Sequence, residues 1–216
     1  EAEHPSRSRL GMHKIAVIGT FGVGKTTFLH RLFSELKYRA FQVEMVPELS
    51  RLCPYDINER GSVPRGQYWI LREQIRLELE RSESLPDFLL CDRCVFDNTI
   101  FAERGAEKGY VEGRIYELIR SATRAWEATY SLLVFIRLEE HLRLSRNRGM
   151  ADGVRSDNEE FQVDIERRLE RAWREYPGKK IEIGGNLARR TALVMALLRE
   201  MIDDSRLRDQ DLELGR

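Results

Sequence analysis

Short runs of consecutive apolar residues alternate along the chain with longer stretches in which apolar residues recur every three or four positions. Ile15-Ala16-Val17-Ile18, Phe88-Leu89-Leu90 and Leu132-Leu133-Val134-Phe135-Ile136 are unbroken runs, the pattern of strands buried on both faces of a sheet. The pattern predicts strands near 14–18, 41–46, 87–91, 131–137 and 180–183. Helices are predicted near 25–37, 67–83, 95–104, 112–127, 157–175 and 187–203. Phe161, Ile165, Leu169 and Trp173 form a one-faced stripe on the fifth of these helices, and Leu187, Thr191, Val194 and Leu198 repeat it on the last. Asp157 and Asn186 are the expected N-caps. Alternation of strand and helix implies an α/β fold, a parallel sheet with helices on both faces.

The 216 residues suffice for one domain with a proper core. Charged residues make up 33% of the chain and cancel to +0, which argues against a broad nucleic-acid or anionic-membrane surface. No apolar run approaches a membrane span. Residues 1–11 lack the apolar stretch of a signal peptide, and Met12 reads as a natural start, so 1–11 is expected to be a remnant or loose tail. The charged segment 205–216 is expected to fray, leaving 12–204 as the folded domain. Cys53, Cys91 and Cys94 make no disulfide framework, in keeping with a reducing cytoplasm. Cys91 and Cys94 have C-x-x-C spacing, but without accompanying ligands they read as small buried side chains.

Between the first strand and first helix stands Gly19-Thr20-Phe21-Gly22-Val23-Gly24-Lys25-Thr26, the G-x-x-x-x-G-K-[ST] pattern of a P-loop, continued by Thr27. Glycines let backbone N–H groups close around phosphate oxygens, the lysine reaches the β- and γ-phosphates, and the threonine hydroxyl ligates Mg²⁺. The following helix turns its N-terminus toward the same phosphates. The sequence therefore predicts binding of a nucleoside triphosphate, taken as ATP, with Mg²⁺.

Other candidates cluster at predicted strand ends. Asp92 closes an apolar strand, where an acid would share the Mg²⁺ with Thr26, unless it makes only a strand-end salt bridge. Arg93 beside it could grip a phosphate. Glu48 follows the second strand and could take a proton from an acceptor hydroxyl, hold a ribose hydroxyl, or merely cap a helical turn. Arg51 could clamp an anionic group. Trp69, with Tyr55 and Tyr68, is either a base pocket or core, and Gln74 on the same predicted helix is a further candidate acceptor contact. Arg137, Arg143, Arg146, Arg148 and Arg155, with Gly149 and Gly153, suit an Arg-rich lid near 139–156 that closes over phosphates, or else a solvated helix face.

Taken in order, the P-loop, Val46-Pro47-Glu48-Leu49-Ser50-Arg51, Asp92-Arg93-Cys94-Val95-Phe96-Asp97-Asn98 and Ala151-Asp152-Gly153-Val154-Arg155-Ser156 resemble the P-loop small-molecule kinases. The likeness is to the AAA_28-type ATPase and kinase group, including the nicotinamide riboside kinase domain of NadR, and more distantly to thymidylate and deoxynucleoside kinases. It implies a three-layer P-loop fold whose five-stranded parallel sheet runs 2-3-1-4-5, with a lid. It also implies that Lys25 and Thr26 hold phosphate and Mg²⁺, Glu48 handles the acceptor hydroxyl, and Asp92 and Arg93 are the Asp-Arg pair. Arg155 would belong to the lid, and Arg189 or Arg190, after Gly184-Gly185-Asn186, would contact adenine. No adenylyltransferase domain like that of full NadR is expected ahead of the kinase region, and these residues lack the Asp-Arg-Tyr variant of thymidylate kinases.

The expected activity is ATP- and Mg²⁺-dependent phosphoryl transfer to a small acceptor, a nucleoside or nucleotide, with Lys25, Glu48, Asp92, Arg93 and Arg155 at the chemistry and Arg146 and Arg190 on the nucleotide. A homodimer stays open. Two rivals remain: an ATP-driven switch acting through a protein partner, and a nucleic-acid end kinase, which the zero net charge disfavours. The Asn-Lys-x-Asp segment of a GTPase is absent.

Overall fold

A computed structural model describes residues 11–57, 63–139, 159–203 and 207. The elements follow the predicted alternation: β1 (His13–Ile18), α1 (Lys25–Tyr38), β2 (Val43–Val46), a 3-10 turn (Leu49–Arg51), α2 (Val63–Ser82), β3 (Phe88–Asp92), α3 (Val95–Glu107), α4 (Gly113–Glu127), β4 (Leu132–Ile136), α5 (Glu159–Glu175), β5 (Lys180–Ile183) and α6 (Leu187–Met201). All four strand pairings are parallel, and the sheet order is β2-β3-β1-β4-β5, as the resemblance implies.

The period of two along each strand splits the core into two layers. In β1, Ile15 and Val17 face α1 and α6, together with Phe28, Leu32 and Leu36 from α1 and Val194 and Leu198 from α6. Ala16 and Ile18 face the opposite way, toward Leu71 of α2, Ile100 of α3, Ile119 of α4 and Ile165 and Leu169 of α5. A sheet covered on both faces needs no polar side, so β3 and β4 are buried along their whole length. Each fully buried Leu, Ile or Phe in these layers contributes roughly 1.5–3 kcal/mol.

Element boundaries differ from the sequence expectation where local chemistry decides them. Helix α2 begins at Val63 rather than 67, because Pro64 falls in the first turn, where its missing N–H costs nothing. Strand β2 begins at Val43 rather than 41, since the Phe41 N–H turns back to the Leu36 carbonyl and the Gln42 N–H goes to the Asp87 carboxylate. Helix α3 runs on to Glu107, past the expected 104. Asn186 caps α6 as expected, its side-chain oxygen accepting the Arg189 N–H at 2.9 Å. The expected Asp157 cap and nearly all of the Arg-rich segment lie outside the described residues. Among the described residues no helix is long and apolar enough to cross a membrane.

Candidate active site

Every candidate acid lies at a carboxyl strand end, as the topology requires. The order β2-β3-β1 sets the ends of β2 and β3 beside the loop leaving β1, and register pairs Val17 with Asp92 and Val46 with Cys91. Glu48, Asp92 and the Gly19–Thr26 loop therefore converge on one crevice.

The loop's shape depends on glycine at two points. Gly24 is the N-cap of α1 at φ 86°, a left-handed conformation costly for other residues. At Gly19, a Cβ would lie 2.6 Å from the Ile136 carbonyl oxygen. No side chain caps α1 and no acid occupies its first turn, which leaves its N-terminal N–H groups and dipole available to an anion. Lys25, 5% exposed, donates to the Thr20 carbonyl at 2.7 Å, a bond within its own loop. Burial, helped by the Arg93 charge, lowers its pKa to about 8 against the pull of Glu48, Asp92 and Asp97.

Asp92 is 3% exposed. Its Oδ2 accepts the Thr26 hydroxyl at 2.5 Å, while Oδ1 is buried without a partner among the described residues. No ion pair to Asp92 is found among the described residues, so the strand-end salt bridge is not what holds it. A hydroxyl and a half-satisfied carboxylate, both oxygen donors beside a phosphate-binding loop, fit a hard divalent cation that takes its other ligands from phosphate and water. No cluster of three His, Cys, Asp or Glu able to hold a metal occurs among the described residues.

Glu48 opens the 3-10 turn but does not cap it with its side chain. Its Oε1 accepts Arg93 Nε at 2.8 Å and the Ser50 hydroxyl at 3.1 Å, and its Oε2 accepts Arg51 Nε at 3.1 Å. Burial opposes its ionisation, but Arg93, Lys25 and Arg51 prevail and hold its carboxyl well below the usual carboxylate range. Arg93 adopts φ 77° and donates Nη1 to Asp97 Oδ1 at 2.8 Å. Burial works against its charge, yet Asp97, Glu48 and Asp92 keep it above its ordinary pKa. Asp97 in turn accepts the Cys94 N–H at 3.1 Å through Oδ2, closing the N-terminal turn of α3.

These groups open onto one cavity of about 390 Å³, lined on one side by Phe21, Gly22, Gly24, Lys25, Thr26, Thr27 and His30 and on the other by Met45, Pro47, Glu48, Arg51, Leu52, Asp92 and Arg93. Trp69 and Gln74 do not line it. Gln74 is buried and directs its amide to Glu78 Oε1 at 2.8 Å and toward the Arg93 carbonyl at 3.5 Å. Tyr55 and Tyr68 are exposed. Arg190 is buried against the P-loop, its Nη1 donating to the Val23 carbonyl at 2.7 Å, whereas Arg189 is exposed. Arg146 and Arg155 lie outside the described residues. Cys91 and Cys94 are buried free thiols and Cys53 is a half-buried one.

Two contributors escaped the sequence reading. Asp97 had a legible signal, because Cys94-x-x-Asp97 has the spacing of a helix-capping pair. Gln162, which bonds the P-loop from 141 positions away, had none.

Fold and crevice together define a P-loop α/β protein. The AAA_28 family (AAA domain) matches residues 14–190, and the chain belongs to it. Three solved structures of deoxyadenosine kinase from M. mycoides share the fold. One holds the product dCMP and a flexible dCDP, with TM-score 0.69 and 18% identity; one holds dATP, with 0.68 and 19%; one holds dCTP, with 0.67 and 18%. Each alignment covers 87% of this chain and 99% of the kinase. No curated protein matches the sequence significantly.

Proposed function

We propose that this protein is an ATP- and Mg²⁺-dependent kinase that phosphorylates a small acceptor of the nucleoside or nucleotide class. The observation that carries the reading is the shared cavity, in which the P-loop Lys25 and Thr26 face Glu48 and Arg93 across about 390 Å³. A phosphoryl donor and an acceptor need such a common wall, because the reaction asks mainly for in-line positioning and charge stabilisation.

In this reading ATP is taken by the P-loop amides and the N-terminus of α1. Lys25 exchanges the Thr20 carbonyl for phosphate oxygens. Thr26 and the free oxygen of Asp92 would hold Mg²⁺, which when bound spreads the charge of the phosphates and orients the γ-phosphoryl group. Arg93, fixed by Asp97, faces the transferring group and stabilises the charge that develops on it. Glu48 is held too acidic to act as a strong base, so its main part is to orient the acceptor by accepting a hydrogen bond. The likeness to a deoxyadenosine kinase, whose structures hold deoxynucleotides, supports the acceptor class.

The test is ADP release with ATP and Mg²⁺ over a panel of nucleosides, nucleoside monophosphates, nicotinamide riboside and short oligonucleotides, with Lys25→Ala as blank. Stimulation by one acceptor is expected. Slow hydrolysis that no acceptor accelerates would replace the kinase by an ATP-driven switch.

A further inference from the structure

We infer that Gln162 on α5 and Arg190 on α6 are positioning residues for the nucleotide, holding P-loop carbonyls outward so that the loop's N–H groups face the phosphates. The inference rests on the reading of the P-loop as the donor site.

A trans peptide carries its C=O and N–H on opposite sides. A loop that offers N–H groups to an anion must therefore turn its carbonyls away, since an inward carbonyl would set partial negative charge against phosphate oxygens. Glycine does not make that choice by itself, because it accepts either backbone orientation at little cost. Here four loop carbonyls accept side chains: Thr20 from Lys25, Phe21 from Gln162 and Val23 from Arg190, each at 2.7 Å, and Gly19 more loosely from Arg93 at 3.5 Å. The first bond is temporary in the proposed mechanism, because Lys25 must leave Thr20 to reach phosphate. Gln162 and Arg190 come from outside the loop and can stay.

Burial makes these bonds decisive. Gln162 is 1% exposed and Arg190 is 6% exposed, so water is poorly placed to replace either donor. The grip of α5 is two-sided, since the Thr20 hydroxyl also reaches the Gln162 carbonyl at 3.5 Å. One turn further on, Glu166 accepts the Leu138 N–H at 2.7 Å. Arg190 is steadied by Glu139 at 3.5 Å, whose carboxylate also accepts the Gly185 N–H. Gln162 Oε1 and Arg190 Nε are buried without partners among the described residues.

The test uses the full chain. Gln162→Leu keeps the size and removes the donor. ATP and ADP dissociation constants, by titration calorimetry, should weaken about 10-fold, the size of one lost buried hydrogen bond. KM for ATP should rise with them, while KM for the acceptor stays within about two-fold. Gln162→Glu supplies a readout that lost stability cannot imitate: an ionised carboxylate repels the Phe21 carbonyl, whereas its protonated form can donate to it. Nucleotide affinity of that variant should recover as pH falls through the carboxyl range, well below the Lys25 titration, where wild type shows no such recovery. Arg171→Ala, on the exposed face of the same helix, controls for helix stability through loss of its Glu103 pair.

Gln162→Leu with wild-type ATP and ADP affinity, or Gln162→Glu without recovery at low pH, overturns the inference and leaves the kinase reading standing. Wild type that binds no nucleotide removes both.

Discussion

Two buried charge clusters lie on the same sheet and differ in one respect. Toward the amino end of the strands, Glu78 is fully buried and fully satisfied. Its Oε1 accepts Gln74 and Tyr130, each at 2.8 Å, and its Oε2 accepts Lys14 at 2.9 Å and Trp126 at 2.7 Å. Lys14 also bonds Thr129 at 3.0 Å and lies over the Trp126 ring. At the carboxyl end, Asp92 keeps one oxygen unpartnered among the described residues and Lys25 donates to its own loop. A buried charge is costly unless its partners are supplied. The first cluster supplies them internally and ties β1, α2, α4 and the start of β4 together. The second leaves them incomplete and opens onto a cavity. For these two clusters we read closure as architecture, and the unpartnered Asp92 oxygen facing a cavity as the place where a ligand completes the set. Gln74 touches both, which explains why a residue expected at the acceptor is a brace behind Arg93.

Substitutions can break the comparison in order of size. The largest effect is expected from Lys25→Ala, which should lower kcat/KM for ATP about a thousand-fold or more and leave folding intact, because the site loses the cation that follows the phosphoryl group. Steady-state ADP release and circular dichroism on the same sample check this. Glu48→Gln should lower kcat about a hundred-fold while KM for ATP stays within about two-fold, since Glu48 lies on the cavity wall opposite the P-loop. Unchanged kcat would make Glu48 a brace for Arg93 and Arg51 alone.

A pH effect sharpens the contrast. Lys25 has a pKa of about 8 in the free protein, and bound phosphates favour its charged form. Binding near pH 8 should therefore take up a proton, and ATP affinity should fall as pH rises above 8. Calorimetry in buffers of different ionisation enthalpy reads the proton directly. Linkage gives the matching stability sign. Between pH 8 and 10.5 the unfolded chain holds the Lys25 proton and the free folded protein releases it, so this residue's contribution to stability rises with pH across that window. The smallest effect is expected from Arg189→Ala, within about 0.5 kcal/mol in stability and without change in ATP affinity, because Arg189 is exposed.

The sequence carried the fold well because its signals were local. Uninterrupted apolar runs marked strands buried on both faces, and i+4 stripes marked their covering helices. The P-loop was legible for the same reason, its eight positions being contiguous and each having a chemical part. The candidate acids were found because strand ends point into one crevice in this class of fold. Their partnerships were not legible. That Arg93 would reach Glu48 from 45 residues away, and that Gln162 would hold Phe21 from 141, depend on tertiary packing with no spacing rule; only the Arg51–Glu48 and Arg93–Asp97 pairs are local, at i+3 and i+4. Trp69 and Gln74 show the reverse: residue types suited to a base pocket, on a helix near the site, with positions outside the cavity.

The central claim is that the incomplete cluster exists for a ligand and the complete one for the fold. The most direct test is to measure unfolding midpoint and acceptor-stimulated ADP release on the same preparations of Asp92→Asn and Glu78→Gln. The account predicts a crossed result. Asp92→Asn should keep or raise its midpoint and lose about a hundred-fold or more in turnover. Glu78→Gln should lose about 3–5 kcal/mol, a midpoint lower by roughly 10 °C, and retain turnover per folded molecule. Parallel losses of stability and turnover in both variants would contradict it.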